Sequence, residues 1–387
     1  MKAKLLGHSA NDLFWFILPL VLPSLLVRYS LSYAEAGGIL TIYLLVLAMF
    51  SFMMGKLSDR FSRKKILSLG FFLAALGLIA SGFAPGLSVF LVLISITAVG
   101  VSTFHPVMYA VIHDTYSENR SRMMGLYECF GTGAIFVMFL VNGYLLESIG
   151  VRGVLILTAV PALIMGFVYV FSDSISNDRA DLPSPDPTGV SGRGRVLRFM
   201  LFLFSVILRV FSVTAVLNFL PIIFVDFFGL DPGGAAYSTA FFFAGGIAGS
   251  LVFGSLSARY NSFGIILAGS VFIGGAMFVL SASLPVWIYL IIIALFGGFA
   301  SGCVINQNLL MGRLGGSLGK GEVFGILMGV MTVTSAFSPA VFGTVIDTIG
   351  YQSALRLFVL PLILSSAILI YLLRTDKTRA GMVETST

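Results

Sequence analysis

Long apolar runs, separated by short clusters of charged residues, glycine and proline, recur from one end of the chain to the other. A helix of about 20 mostly apolar residues is long enough to cross the hydrocarbon core of a bilayer. Twelve runs of roughly that length predict twelve membrane-spanning helices and an all-α membrane protein. The predicted helices lie near residues 10–28, 36–54, 66–84, 88–111, 123–146, 154–172, 199–225, 236–253, 264–283, 286–310, 325–346 and 353–373.

The segment 173–198 interrupts this pattern between the sixth and seventh runs. It is rich in Ser, Pro, Asp, Gly and Arg, so it has too little apolar surface to fold on its own. We predict that it is a cytoplasmic linker. It would join an N-terminal six-helix bundle, 1–172, to a C-terminal six-helix bundle with a short cytoplasmic tail, 199–387.

The two predicted bundles are also related by sequence. Segment 143–150 begins and ends with glycine and aligns with segment 343–350 at an offset of 200 residues. Segments 55–60 and 254–259 align at an offset of 199. Several matches in one register indicate a duplicated six-helix unit, and parallel repeats of this kind are one of the standard designs of membrane transporters.

Composition and charge support a membrane protein and indicate its orientation. Apolar residues make up 58% of the chain and charged residues 10%, against about 45–50% and about 25% in soluble domains, which excludes a soluble enzyme. Nineteen of the 23 Lys and Arg residues fall on the side of the two predicted termini, and only Arg28, Arg152 and Arg356 lie opposite. The positive-inside rule therefore predicts cytoplasmic termini in the cell membrane. This distribution does not suggest a nucleic-acid partner.

The loop after the second predicted helix reads Gly-Lys-Leu-Ser-Asp-Arg-Phe-Ser-Arg-Lys-Lys from Gly55 to Lys65. Gly55 allows two helices to approach, and Asp59 can face the positive N-terminus of a helix from the other bundle. Arg60 and Arg63 can hold Asp59 in place or pair with lipid headgroups. We expect these residues to form a conformational latch, the alternative being a solvated basic loop.

This loop resembles the signature loop of the major facilitator superfamily. That resemblance implies two pseudo-symmetric six-helix bundles and secondary transport by alternating access. Ser62 replaces the usual glycine of the signature, and the second copy has Ala258 in place of the aspartate. The second-half latch is therefore expected to be weak or missing.

A narrower resemblance rests on two short motifs. His-Ser-Ala-Asn-Asp opens the first predicted helix at 8–12, and Phe-His-Pro lies in the fourth at 104–106. Both are similar to motifs of the fosmidomycin-resistance group of efflux transporters, although Val107 stands where that group has an acidic residue. The resemblance implies proton-driven export of a drug-like or anionic molecule.

Ionisable residues inside spans are costly and therefore indicate function. Asp12, His105 and Glu128 fall at similar depths in the first bundle, so they could share one cavity and carry the coupled proton. Two alternatives stay open. Asp12 could cap the first helix together with Asn11, and His105 could be a packing histidine beside Pro106.

Arg209 is the one deep charge predicted for the second bundle. Its guanidinium favours an anionic partner, either a substrate group or a protein carboxylate, although snorkelling or a helix carbonyl could also satisfy it. Neutral hydrogen-bonding groups are predicted to complete the substrate site with Arg209: Asn11, Asn218, Asn306 and Gln307.

Three classes of function remain. Proton-coupled export of a small anionic or drug-like molecule is the leading interpretation, and proton-coupled or facilitated uptake of an organic anion or nutrient is the alternative. A membrane enzyme or receptor is the third, but catalytic motifs are absent from the sequence. The two cysteines, Cys129 and Cys303, lack disulfide or metal-site spacing, so neither a metal nor a cofactor is expected. We expect a monomer whose partners are a small-molecule substrate, protons and the lipid bilayer.

Overall fold

The computed structural model describes residues 2–58, 61–115, 120–171, 193–314 and 320–384. In these ranges it contains thirteen helices and no strand. The helices are α1 (Lys2–Tyr29), α2 (Tyr33–Ser58), α3 (Arg63–Ser81), α4 (Leu87–Val101), α5 (Phe104–Thr115), α6 (Arg120–Phe171), α7 (Arg193–Phe228), α8 (Pro232–Leu256), α9 (Ser262–Leu280), α10 (Val286–Leu314), α11 (Lys320–Ile349), α12 (Tyr351–Leu357) and α13 (Leu360–Glu384).

Eleven stretches of the described helices are long and apolar enough to cross a membrane. One of them, Gly125–Phe171, has 47 residues and would measure about 70 Å as a straight helix, more than twice the hydrocarbon thickness of about 30 Å. The backbone leaves the helical region at Gly150, with φ 63° and ψ −178°, which divides α6 into two spans. The prediction of twelve spans is confirmed.

Two of the breaks between helices repeat in the two halves of the chain. Gly150 in α6 and Gly350 between α11 and α12 both have positive φ, 63° and 79°, a conformation that favours glycine. They are the last residues of the two segments that align at an offset of 200. The duplication predicted from the sequence is therefore visible in the backbone.

The two halves meet along two helix pairs, α2 with α11 and α6 with α8. Glycines permit the close approach in the second pair, since Gly125 and Gly254 face each other across it. An aromatic cluster also crosses the interface. The ring of Phe243 on α8 lies 4.9 Å from that of Phe16 on α1 and 5.2 Å from that of Phe139 on α6.

Large apolar side chains are exposed over the outside of the bundles, for example Leu69, Tyr144, Phe167 and Phe171. A soluble protein rarely exposes so much contiguous apolar surface. In a bilayer this surface faces lipid, while the helices satisfy their own backbone polar groups. The fold is thus an all-α membrane protein of two six-helix bundles.

Two predicted boundaries need correction. α7 begins at Arg193, so the last six residues assigned to the 173–198 linker are helical. The apolar span begins at Val196, and the helix extends before it through residues 193–195. α1 begins at Lys2, ten residues before Asp12, so Asp12 and Asn11 do not cap it. Both residues lie inside the helix.

Candidate proton and substrate sites

The first candidate site is a cluster of two histidines around one carboxylate. His8 and Asp12 lie one turn apart on α1, a spacing that places both side chains on the same helix face. His8 Nε2 lies 3.1 Å from Asp12 Oδ2, and Nε2 of His105, on α5, lies 3.2 Å from Asp12 Oδ1. His8 and His105 are both buried, and the Asp12 side chain is 14% exposed. We call this group the His–Asp–His cluster.

His8 faces a hydrogen-bond acceptor at each of its two ring nitrogens. His8 Nδ1 lies 2.8 Å from the carbonyl oxygen of Tyr127, which only accepts, so Nδ1 must carry hydrogen. The other nitrogen faces a carboxylate oxygen, and two lone pairs at 3.1 Å would repel each other. Donation from both ring nitrogens would satisfy these two acceptors, so the His8–Asp12 pair has the geometry of a group that can bind and release a proton.

Aromatic rings and a glycine shape the pocket around the cluster. The His8 ring stacks on Tyr127 at 3.6 Å between centroids, and Trp15 meets the His105 ring edge-on at 5.5 Å. Gly131 on α6 leaves the space that the pair occupies, since a Cβ there would lie 2.6 Å from His8 Cε1 and would also collide with Asp12. Helix α6 thus fixes His8 through the carbonyl group of Tyr127 and through the absence of a side chain at Gly131.

Glu128 is also near this cluster. It lies on α6 directly after Tyr127, is partly buried, and interacts electrostatically with His8. The structure therefore brings together all three residues predicted to carry the proton, Asp12, His105 and Glu128. The structure adds His8 to this group; its spacing of four residues from Asp12 is the sequence signal that places the two side chains on one helix face.

The His–Asp–His cluster is also the one group in the described ranges with the spacing of a metal site. One ligand atom from each of its three residues lies within 4.8 Å of the others. However, each histidine already lies at hydrogen-bonding distance from a different carboxylate oxygen. The same geometry therefore also suits proton binding.

The second candidate site surrounds Arg209 in the other half. Arg209, on α7, is 3% exposed, and its Nη2 donates a hydrogen bond to Oε1 of Gln307 on α10. The Gln307 amide in turn donates to Met331 Sδ at 2.8 Å. Among the described residues, Nη1 of Arg209 has no hydrogen-bond partner and no carboxylate pairs with the guanidinium. Gln307 rather than a helix carbonyl is thus the observed partner.

The neutral residues predicted for the substrate site are all buried. Asn218 donates to the carbonyl oxygen of Thr214, and Asn306 donates to that of Gly302, so each amide is bonded within its own helix. Within the described ranges, Asn11 Nδ2 and Asn306 Oδ1 are buried without a hydrogen-bond partner. The structure brings Arg209 and Gln307 into contact, while Asn11 lies on α1 and Asn218 bonds within α7.

The predicted latch is described only in part. Gly55 lies near the end of α2, and Arg63 is the first residue of α3. Asp59 and Arg60 lie outside the described residues. The latch therefore stays a prediction from the sequence.

Comparison with known proteins agrees with the fold. The chain is 22% identical over 383 residues to the uncharacterized MFS-type transporter YfnC of Bacillus subtilis, covering 96% of this chain and 91% of that protein. A solved bacterial homologue of the human lysosomal transporter Spinster, inward-facing and occupied, superposes with a TM-score of 0.76 over 96% of both chains at 16% identity.

Two further relatives match part of the chain. The niacin transporter NiaP of Acinetobacter baylyi is 26% identical over 43% of this chain and 37% of its own length. The methyl viologen resistance protein SmvA of Salmonella typhimurium is 32% identical over 34% of this chain and 27% of its own length. The model of the Major Facilitator Superfamily matches residues 5–320. The chain therefore belongs to the Major Facilitator Superfamily, and it is a multi-pass membrane transporter rather than an enzyme.

Proposed function

We propose that this chain is a proton-coupled exporter of a small organic anion, of the fosmidomycin-resistance type. The single observation that supports the coupling is the His8–Asp12 contact, because both ring nitrogens of His8 face acceptors, an arrangement suited to holding an exchangeable proton. A buried, exchangeable proton next to a second histidine and a glutamate is what an ion-coupled carrier needs.

The coupling step is proton binding and release at the His–Asp–His cluster. Asp12 can exchange its hydrogen-bonding partners, since each of its two oxygens faces one histidine. Glu128 adds a second carboxylate beside His8 and gives the proton a neighbouring acceptor. When the bundles rock, the cluster loads a proton on one side of the membrane and releases it on the other.

The substrate is proposed to dock on Arg209. A buried guanidinium whose Nη1 lacks a described partner is expensive, and an anionic group would satisfy it with charge-assisted hydrogen bonds. Gln307 holds the other nitrogen and so orients the guanidinium toward that group. Asn11, Asn218 and Asn306 are proposed to contact the neutral part of the substrate.

The names of two relatives, the niacin transporter NiaP and the methyl viologen resistance protein SmvA, refer to compounds of opposite charge. Niacin is a carboxylate at neutral pH, whereas methyl viologen is a dication. The buried Arg209 favours a cargo with the charge of the former. Export is the proposed direction, following the fosmidomycin-resistance motifs; uptake of an organic anion is the alternative, and counterflow in proteoliposomes with an imposed pH gradient separates them.

The topology proposal completes this picture. We propose cytoplasmic termini, a linker that begins at residue 173, and a monomer in the cell membrane. Asp59, held by Arg60 and Arg63 behind Gly55, would latch the two bundles on the cytoplasmic side.

The test of the proposed function compares accumulation with exchange. Purified protein is first screened for thermal stabilisation by organic anions, with nicotinate as the initial probe and methyl viologen as the cationic comparison. With an anion that binds, Asp12→Asn and Glu128→Gln should abolish accumulation driven by a pH gradient but retain exchange, since exchange needs only the loaded carrier to rock.

Glu35→Gln is the matched control, because Glu35 is a carboxylate of the same half that bonds only locally, to Ser32 just before α2. It should keep both activities. Accumulation retained by Asp12→Asn would refute proton coupling at this cluster. Stabilisation by methyl viologen and by no anion would refute the proposed substrate class.

A further inference from the structure

The start of α2 and the end of α11 are joined by polar contacts across the two halves. Asp347, near the end of α11, accepts a hydrogen bond from the backbone amide of Ala34 at 2.9 Å and a longer one from Tyr33 at 3.4 Å. Both amides belong to the first turn of α2. A carboxylate of one half therefore lies on the positive N-terminus of a helix of the other half.

The cap that α2 provides for itself explains why these two amides are available. The Ser32 amide donates to Glu35, and the Glu35 amide donates to the Ser32 hydroxyl, which is a reciprocal capping box. The amides of Tyr33 and Ala34 remain among the orphan donors of the helix start. Asp347 supplies the acceptor that α2 lacks, and it does so only while the halves are in contact.

The backbones of α2 and α11 also fit closely beside this carboxylate. A Cβ on Gly37 would lie 2.7 Å from the carbonyl carbon of Pro339 and 2.8 Å from Ala340 Cα. One turn further along α2, Thr41 donates a hydrogen bond to the carbonyl oxygen of Ala336 at 2.6 Å. These contacts close the interface between the carboxylate and the middle of the protein.

We propose that Asp347 is the latch that holds the two halves closed on the side opposite the termini. α2 and α11 run antiparallel, so the end of each helix lies beside the start of the other. Asp347 lies at the start of α2. Asp59, which the sequence predicts as the cytoplasmic latch, follows the last residue of α2 in the chain. The same helix pair would thus carry one carboxylate latch at each end, and alternating access would exchange one for the other.

The repeat equivalent of Asp347 does not form the same latch. Glu147, on α6, lies beside the start of α8, close to Gly233. There, however, Asp231 already caps the helix by accepting from the Gly234 amide at 2.8 Å, and this bond holds the pKa of Asp231 below its usual range. The equivalent amide is therefore taken within one half. The proposal therefore places the charged latch at the start of α2, where Asp226 on α7 also accepts a hydrogen bond from the Tyr33 hydroxyl at 2.6 Å.

The first experiment measures opening without any substrate, so it does not depend on the proposed cargo or on proton coupling. Ala336, which is fully buried at the interface, is replaced by cysteine, and its rate of labelling by a water-soluble maleimide is measured in nanodiscs. The rate is corrected for labelling of protein that lacks the introduced cysteine. Asp347→Asn should raise it by about two- to thirtyfold, the range expected for losing a charge at a helix N-terminus.

Glu35→Gln is the control for Asp347→Asn, since it removes a carboxylate from the same helix end without touching the other half. It should leave the labelling rate within about twofold of wild type, the lower limit of the expected range. An unchanged rate in Asp347→Asn, or an equal rise in Glu35→Gln, would overturn the latch.

A second pair of variants tests closure through packing. Gly37→Ala should raise the labelling rate because its methyl group collides with the backbone of α11 in the closed state, whereas a Cβ on Gly38 meets nothing within 4 Å, so Gly38→Ala should not. Both changes favour the helix equally, and monodisperse elution confirms folding. If Gly37→Ala opens this side while Asp347→Asn does not, packing alone closes it and the proposal is wrong.

Discussion

Gly131→Ala tests the His–Asp–His cluster without changing any titratable group. The new methyl group would lie 2.6 Å from His8 Cε1, and carbon atoms normally pack at about 3.5–4.0 Å. The His8 ring must therefore move by about 1 Å, away from α6. The methyl group also collides with the Asp12 carboxylate and pushes the two groups apart, so a shift of about 1 Å would lengthen their 3.1 Å contact to about 4.1 Å.

The cost follows from this change in distance. At an effective dielectric constant of about 20, lengthening a charge pair from 3.1 Å to about 4.1 Å removes about 1.3 kcal/mol of attraction. This corresponds to about a tenfold loss in the affinity of the pair for its proton, or about one pH unit in the midpoint of its titration. Transport driven by a pH gradient should fall by a similar factor.

Trp15 provides the assay. Its indole ring lies 5.5 Å from that of His105, and a protonated imidazole quenches indole fluorescence. The chain has two tryptophans, and the other, Trp287, is exposed on the outer surface. In a Trp287→Phe background, the fluorescence of Trp15 against pH therefore reports protonation of the cluster in purified protein, without a substrate.

Gly133→Ala is the matched control, two residues further along α6. A Cβ there would meet one atom, Ile247 Cδ1, at 4.0 Å, which is an ordinary contact. Both substitutions favour the helix to the same degree. The titration midpoint should move by about one pH unit in Gly131→Ala and stay in place in Gly133→Ala. Equal midpoints in the two variants would refute our description of the proton site.

Three further experiments test other parts of the proposal. Arg209→Lys should weaken binding of an organic anion, because the two-pronged guanidinium is lost, and Arg209→Gln should nearly abolish it; normal thermal stabilisation of Arg209→Gln by the anion would return Arg209 to a structural role. Asp59→Asn should reduce transport sharply while expression persists, and wild-type transport would contradict the cytoplasmic latch. Single cysteines in the 173–192 segment should be protected from impermeant reagents in intact cells, whereas labelling from outside would reverse the topology.

Much of the fold follows from the sequence because the bilayer imposes simple rules. A chain in lipid must satisfy its backbone internally, so apolar runs of sufficient length become helices. The boundaries are harder to predict, since hydropathy locates the edge of the apolar run rather than the end of the helix. α1 begins at Lys2 and α7 at Arg193 because helices continue through polar residues outside the hydrocarbon.

The candidate sites were predictable only in part. Asp12, His105 and Glu128 could be grouped by depth, because position along a helix determines depth in the membrane. Depth does not determine which helix faces which, so the partner of Arg209 could not be read from the sequence. Gly131 matters through the absence of a side chain, and nothing in a single sequence distinguishes such a glycine from one at any helix contact.

The two halves derive from one duplicated unit, yet the proposed sites divide the chemistry between them. The N-terminal half joins α1 to α5 through Asp12 and His105, and the C-terminal half joins α7 to α10 through Arg209 and Gln307. An arginine keeps its charge at all physiological pH values, so the C-terminal pair cannot carry the proton. A carboxylate cannot attract an anion either, which leaves the N-terminal pair unsuited to hold the substrate. If only one half changes its charge and only the other holds the cargo, the two events are coupled through the movement of one half against the other, and this movement is the one that the α2–α11 contacts restrain.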